Sequence, residues 1–192
     1  FFYISIVTSI MRLRVINIFV FLMASLLAQG QALKPVNFYL QHSGVSENAI
    51  DFYTGRLSVM DADKAMEIAD SMFTENDETR PFYILLTTRM LKVSRGKLSK
   101  QLTIISRHFA EQHPSELSAF LYQKNSLISR DFPDYWAYRL SVDIRVMCEY
   151  ELLTCFKESR NVALKNCSEK YKPQIEILYN IVRHQLNLFQ QR

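Results

Sequence analysis

At 192 residues, 48% of them apolar, the chain is long enough to bury one substantial core. Its 23 basic and 19 acidic side chains leave a formal charge of +4, too small to demand nucleic acid or an anionic membrane as a partner on global charge alone. Four glycines leave little material for tight turns or phosphate-cradling loops, and the supply of Leu, Ile, Lys, Glu and Met favours helix.

The chain opens on Phe1, and Met11 is the expected initiator. From Met11 the sequence has the three parts of a secretory signal: Arg12 and Arg14, the 14-residue apolar stretch Val15 to Ala28, and small residues at Ala28, Gly30 and Ala32. The rival reading is a membrane anchor, which needs about 20 apolar residues; this run is shorter and ends in Gln29-Gly30-Gln31. Cleavage is expected near Gly30 or Ala32, and no Cys adjoins it to suggest a lipoprotein. Residues 1–32 are therefore expected to be a leader and signal peptide, and 33–192 a single all-α domain, periplasmic or secreted, with no permanent span after cleavage. Removing Arg12 and Arg14 leaves 21 bases against 19 acids, a net charge of +2.

Leu33 to Val45 reads as an irregular or short extended lead-in. A short helix is expected after Ser46, ending near Gly55. Asp61 has the character of an N-cap, with Met60 and Ala65 at the two positions of a hydrophobic staple. Ala65, Ile68, Ala69, Met72 and Phe73 then follow at helical spacing. The next helix starts between Thr79 and Pro81, carries Phe82, Leu85, Leu86, Met90 and Val93 on one side, and is expected to stop at Gly96 as its C′ residue. Leu98, Leu102, Ile105 and Phe109 make the stripe of a third. A fourth begins at Pro114 and carries Leu117, Phe120, Leu121, Leu127 and Ile128. Asp131-Phe132-Pro133 opens a fifth, with Trp136, Leu140, Ile144 and Met147 on its apolar face. The last carries Tyr171, Ile175, Leu178, Val182, Leu186 and Phe189, with Pro173 in its first turn. The fold class is all-α, an antiparallel bundle of about six or seven helices. Helix starts near 61, 97 and 133 are 36 residues apart, and 82–95 over 117–130 matches Leu86 with Leu121 and Arg95 with Arg130, so stacked helical hairpins are the alternative arrangement.

"RHFAEQHPSE", 107–116, crowds two histidines and two carboxylates together. Zinc ligands on one helix sit at i and i+4, which stacks them on one face. His108 and His113 are five apart, about 140° around the axis. The stretch misses both H-E-x-x-H and H-x-x-E-H. It reads as the end of one helix and the start of the next, and no structural zinc is expected. His42 and His184 are isolated. There is no G-x-S-x-G, P-loop, G-x-G-x-x-G or C-x-x-C. No residue is assigned a catalytic, cofactor-binding or metal role, and no cofactor is expected.

Charge is distributed unevenly. Asp61 to Glu78 holds seven acids and the single base Lys64, while Arg80 to Arg107 holds seven bases and no acid. The first reading is that neighbouring helices complement one another, each exposed pair contributing about 0–1 kcal/mol. The second is a patch for a polyanion such as an acidic glycan or lipid headgroups. Aromatics are sparse among these bases, so stacking on nucleic acid is not suggested.

Cys148, Cys155 and Cys167 are an odd set, so one thiol is left over or pairs between chains. On one straight helix Cys148 and Cys155 would be about 10 Å apart along the axis, too far to bridge. However, Trp136, Leu140, Ile144 and Met147 share one face, whereas Leu152, Leu153, Phe156 and Ala163 share roughly the opposite one. That phase jump predicts a break between Met147 and Leu152, with Thr154 available as the next cap and Cys148–Cys155 as the preferred bridge. The rivals are a turn over Ser159 to Asn161 that pairs Cys155 with Cys167, and three buried thiols. Asn166-Cys167-Ser168 is also a glycosylation sequon, relevant in a eukaryotic host.

Together these features describe an exported all-α protein, expected to be a non-enzymatic binding or structural module whose partner is a protein or envelope component and not a nucleic acid. One alternative is a hydrolase with a site of scattered residues such as His108, Glu111, Tyr150 and Glu151. The other is a polyanion binder using Arg89 to Lys100, for a glycan or lipid headgroup.

Overall fold

The structure, a computed structural model, describes residues 33–148 and 151–190. The expected leader and signal over 1–32, and Tyr150, lie outside the described residues. The described chain contains nine α-helices and no strand: α1 (Val36–Leu40), α2 (Glu47–Thr54), α3 (Ala62–Asp70), α4 (Arg80–Val93), α5 (Gly96–Gln112), α6 (Pro114–Leu121), α7 (Phe132–Met147), α8 (Leu152–Asn166) and α9 (Lys172–Gln190). The chain is all-α, as its composition predicts. The count exceeds the expected six or seven partly because the lead-in, read as irregular, closes into α1. Burial of Tyr39 explains that short helix better than propensity does. Its ring stacks on Phe82 at 4.7 Å, and its hydroxyl accepts the Lys34 N–H at 2.8 Å.

Local chemistry sets the next elements. Ser46 Oγ accepts the Ala49 N–H at the start of α2, and Gly55 closes that helix at φ 80°, in the left-handed region that favours glycine. Asp61 accepts the Lys64 N–H at 3.4 Å to start α3. The staple expected there does not form: Met60 is 86% exposed while Ala65 is buried. A single 3₁₀ turn, Ser71–Phe73, follows α3 and buries Met72.

Helix α4 is the centre of the core. It packs against α2, α3, α5, α6 and α7. The expected one-sided stripe is therefore incomplete, because Tyr83, Ile84, Thr87 and Thr88 are buried as well. Val93, expected inside, emerges at the helix end and is 51% exposed. Gly96 is not the C′ stop. Ser94, in extended conformation, already caps α4, and Gly96, at φ 59°, is the first residue of α5. A Cβ at Gly96 would meet nothing within 4 Å, so the requirement for glycine there is one of backbone conformation alone.

The α5 stripe has Leu98, Leu102 and Phe109 buried and Ile105 half-buried, as expected. Helix α6 stops at Leu121, and Leu127 and Ile128, expected on its stripe, are half-buried in the loop that follows. Asp131 precedes α7 without capping it, because its carboxylate accepts the hydroxyls of Ser129 and Tyr135 instead. Trp136, Leu140 and Ile144 are buried, whereas Met147 runs past the end of the core and is 65% exposed.

The chain breaks between α7 and α8, where the phase jump places the break. Glu151, and not Thr154, precedes α8. Cys148 and Cys155 are joined as a disulfide with Cα atoms 6.3 Å apart, the preferred pairing. Helices α8 and α9 form a hairpin. It is fixed where Arg160 grips the Glu176 carboxylate with two N–H groups and Tyr179 reaches Ser159. Helix α9 packs against α7 and α8, burying Ile175, Leu178, Tyr179, Val182 and Leu186. Among the described residues no helix is long and apolar enough to cross a membrane.

Candidate functional site

The residues 107–116 link helices as the sequence predicts. His113 ends α5 and precedes Pro114 of α6. Its ring stacks on Phe109 at 5.1 Å and meets Phe73 edge-on. Its Nδ1 is 3.6 Å from Glu116 Oε1. Arg80 reaches the same carboxylate at 3.4 Å, pairs with Asp77 at 2.6 Å, and donates from Nε to the Thr74 carbonyl at 3.0 Å. Burial works against ionisation of Glu116, but His113 and Arg80 outweigh it and hold this carboxyl below its usual range. His108, by contrast, is exposed.

Glu111 belongs to a buried polar chain that joins four helices. Arg107 of α5 donates from Nε to Asp143 of α7 and from its terminal nitrogen to Glu111 at 3.2 Å. Glu111 Oε1 accepts the Ser159 hydroxyl of α8 at 2.7 Å. Ser159 Oγ in turn lies 2.9 Å from the Tyr179 hydroxyl of α9. Burial pushes the Arg107 guanidinium down, but Asp143 and Glu111 more than restore it, so its pKa lies above the ordinary value. The Tyr179 hydroxyl is raised by its burial. Asn166 of α8 closes the cluster by donating to the Glu111 carbonyl at 2.8 Å. These groups satisfy one another and tie α5, α7, α8 and α9 together.

Of the four residues considered for a hydrolase, His108 and Glu151 are exposed, Glu111 is held inside this chain, and Tyr150 lies outside the described residues. No hydrogen bond or ion pair among the described residues joins His108, Glu111 and Glu151. The third cysteine, Cys167, is buried and free; burial raises its thiol pKa, so reactivity is not favoured. Among the described residues no group of three or more His, Cys, Asp or Glu side chains is arranged to hold a metal ion.

The structure divides the basic stretch 80–107 into three kinds of residue. Its ends, Arg80 and Arg107, are consumed in the interior as described. Arg89 lies over the Tyr53 ring at 4.9 Å, and Lys92 over Tyr135 at 5.5 Å, with Asp131 4.0 Å away. Arg95, Lys97 and Lys100 are exposed and form no ion pair among the described residues. Helix α3 does lie beside α4 and α5, but none of its own acids pairs with the basic stretch; the acid segment contributes only Asp77, to Arg80 three residues on.

Beneath this corner sits Arg139 of α7, buried to 7% exposure. It donates to the Leu91 carbonyl, to Ser94 Oγ at 3.1 Å and its carbonyl at 3.4 Å, and to Ser99 Oγ. No carboxylate pairs with it among the described residues, and burial lowers its pKa. Its charge sits on the C-terminal carbonyls of α4, where the helix dipole favours a cation, and it bolts the end of α4 to the first turn of α5.

Sequence spacing did not single out Arg139 or Asp143. A signal was present, because both fall beside Trp136, Leu140 and Ile144 at helical spacing, on the side of α7 that faces the core. Comparison with known protein families, with characterised proteins and with solved structures finds no match, so the functional reading rests on the residues themselves.

Proposed function

We propose that the protein is an exported all-α binding module without catalysis of its own, which meets its partner through the corner where α4 ends and α5 begins. The observation that carries this reading is the set of exposed bases at that corner, Arg95, Lys97 and Lys100, three within six residues, none in an ion pair among the described residues. Export is supported by the signal-like segment over 11–32 and by the Cys148–Cys155 bridge, since such bridges persist in oxidising compartments.

Two measurements test the proposal. Mass spectrometry of the protein from producing cells should find a chain beginning near Gln31 or Leu33; retention of residues 1–30 in a membrane-embedded form would overturn export. A photo-crosslinking side chain placed at Lys97 should yield adducts in intact cells, while one at Lys165 should not. Adducts at position 165 alone, or at neither position, would overturn the assignment of the corner as the binding face.

A further inference from the structure

The α4–α5 corner carries apolar side chains among its bases. Ten large hydrophobics are markedly exposed among the described residues, and two of them, Val93, the last residue of α4, and Ile104, midway along α5, lie on the two helices that meet at this corner. On α5, positions 97, 100, 104 and 108 fall within about 80° of one another around the axis, and all four side chains, Lys97, Lys100, Ile104 and His108, are exposed. On α4, Lys92 and Val93 are consecutive exposed residues of the last turn, about 100° apart around the axis, and Arg95 follows in the link. On α5, bases and an apolar group thus share one face instead of lying on opposite sides of the helix, and Val93 is exposed two residues before Arg95.

A soluble polyanion recognises the bases and leaves the apolar groups in water. A lipid surface takes both: its headgroup phosphates attract the bases, and the boundary with the acyl chains removes Val93 and Ile104 from water. The dipole of α5 adds to the same field. Its first turn contains no acid and no side-chain cap, so the positive end of a 17-residue helix lies among Arg95, Lys97 and Lys100. Fixed geometry helps as well, because Arg139 holds the end of α4 against Ser99 of α5 and so presents both helix ends as one platform.

We infer that the α4–α5 corner is a peripheral docking surface for an anionic phospholipid membrane, with Arg95, Lys97 and Lys100 on the headgroup phosphates and Val93 and Ile104 dipping below them. The inference rests on the binding-module reading and names its partner.

The test is sedimentation of the purified protein, in the form cells accumulate, with vesicles of phosphatidylcholine alone or of equal parts phosphatidylcholine and phosphatidylglycerol. Binding is expected on the anionic vesicles only and should weaken with added salt. Neutralising both lysines, Lys97→Gln with Lys100→Gln, should lower the partition coefficient roughly 25-fold, at about fivefold for each base near an anionic surface. Lys165→Gln with Lys170→Gln makes the same change in net charge at the α8–α9 turn, beyond the far end of α5, and should leave binding within twofold. Ile104→Ser should lower binding about threefold, a loss that survives high salt. Equal loss from the two lysine pairs would overturn the inference, as would binding to neutral vesicles as strong as to anionic ones. An Ile104→Ser protein with unchanged binding, and heparin or inorganic phosphate bound as well as the anionic vesicles, would show a soluble-polyanion site and overturn it too. Crosslinked adducts at Lys97 without any vesicle binding would leave the binding module standing and remove the lipid. Thermal unfolding of each variant, followed by circular dichroism, should match the parent, since every substituted side chain is exposed or half-buried and none belongs to the core.

Discussion

The two ends of helix α5 use charge in opposite ways. At its C-terminal end Arg107 is drawn inward, where Asp143 and Glu111 neutralise it and Ser159 and Tyr179 complete the hydrogen bonding. At its N-terminal end the buried guanidinium of Arg139 donates to carbonyl and hydroxyl oxygens and meets no carboxylate among the described residues, and the nearby bases Arg95, Lys97 and Lys100 are exposed. One end is an internal fastening and the other an outward positive field. The difference teaches that the run of seven bases from Arg80 to Arg107 is not one feature. Packing against α7 and α8 divides it, and the part that nothing covers among the described residues is the part available to a partner.

The sharpest way to break this contrast is at the C-terminal end. Asp143→Ala leaves Arg107 partly buried with only one of its two carboxylates, and should destabilise the fold by about 3 kcal/mol, the low end for breaking a buried pair because Arg107 keeps some solvent contact. Urea unfolding should show this as a lower midpoint with an unchanged slope. A triple replacement, Arg107→Met with Asp143→Leu and Glu111→Gln, should recover much of the loss, since no charge is then left without a counter-charge and the amide at position 111 still accepts the Ser159 hydroxyl.

The disulfide lies just beyond Asp143, joining Cys148 at the end of α7 to Cys155 in the first turn of α8. Replacing Cys148 and Cys155 with Ser should cost about 2.5 kcal/mol by loop-closure entropy for so short a loop. Hydrogen exchange should then accelerate at the start of α8 and stay unchanged at the start of α5.

At the other end, Arg139→Met should cost about 2 kcal/mol, because the Leu91 and Ser94 carbonyls lose a charged donor while partly buried. Arg139→Lys should rescue little, since one ammonium cannot reach Leu91, Ser94 and Ser99 in the geometry of a guanidinium fork. Exchange should quicken in the last turn of α4 and the first of α5.

The smallest effect concerns acid. The Glu116 carboxyl is held below its usual range in the folded protein, so it adds stability above its unfolded pKa and loses that contribution as pH falls through the folded value. Glu116→Gln should flatten that part of the acid limb of a melting-temperature profile and leave the neutral limb nearly parallel to the parent.

Which parts of this molecule could be read from the sequence follows from which interactions are local. Ser46, Gly55 and Asp61 act on groups within a few residues, so their capping roles are legible in the residues alone. The break before Leu152 is legible for a related reason: a helix cannot turn its apolar face by half a circle without ending. Met60, Val93 and Met147 were misplaced because periodicity identifies a face but not where the neighbouring helix that covers it stops. Helix α1 was missed because five residues carry too little period, and its stability comes from Phe82, more than forty positions away. The Glu111–Ser159–Tyr179 chain was illegible for the same reason, since its members come from three helices and spacing says nothing about which distant hydroxyl meets which carboxylate.

The single tryptophan of the chain, Trp136, is fully buried, and its indole N–H donates to Thr88 Oγ1 at 2.8 Å with Phe109 alongside. It therefore stands where α4, α5 and α7 meet. Excited selectively, it should emit in the blue and resist a dissolved quencher, because no water reaches the ring. Its shift to the red would then signal parting of these three helices, while separation of α8 at the disulfide turn would leave its spectrum unchanged. The molecule thus contains a native optical gauge, set against the scaffold that carries its basic corner.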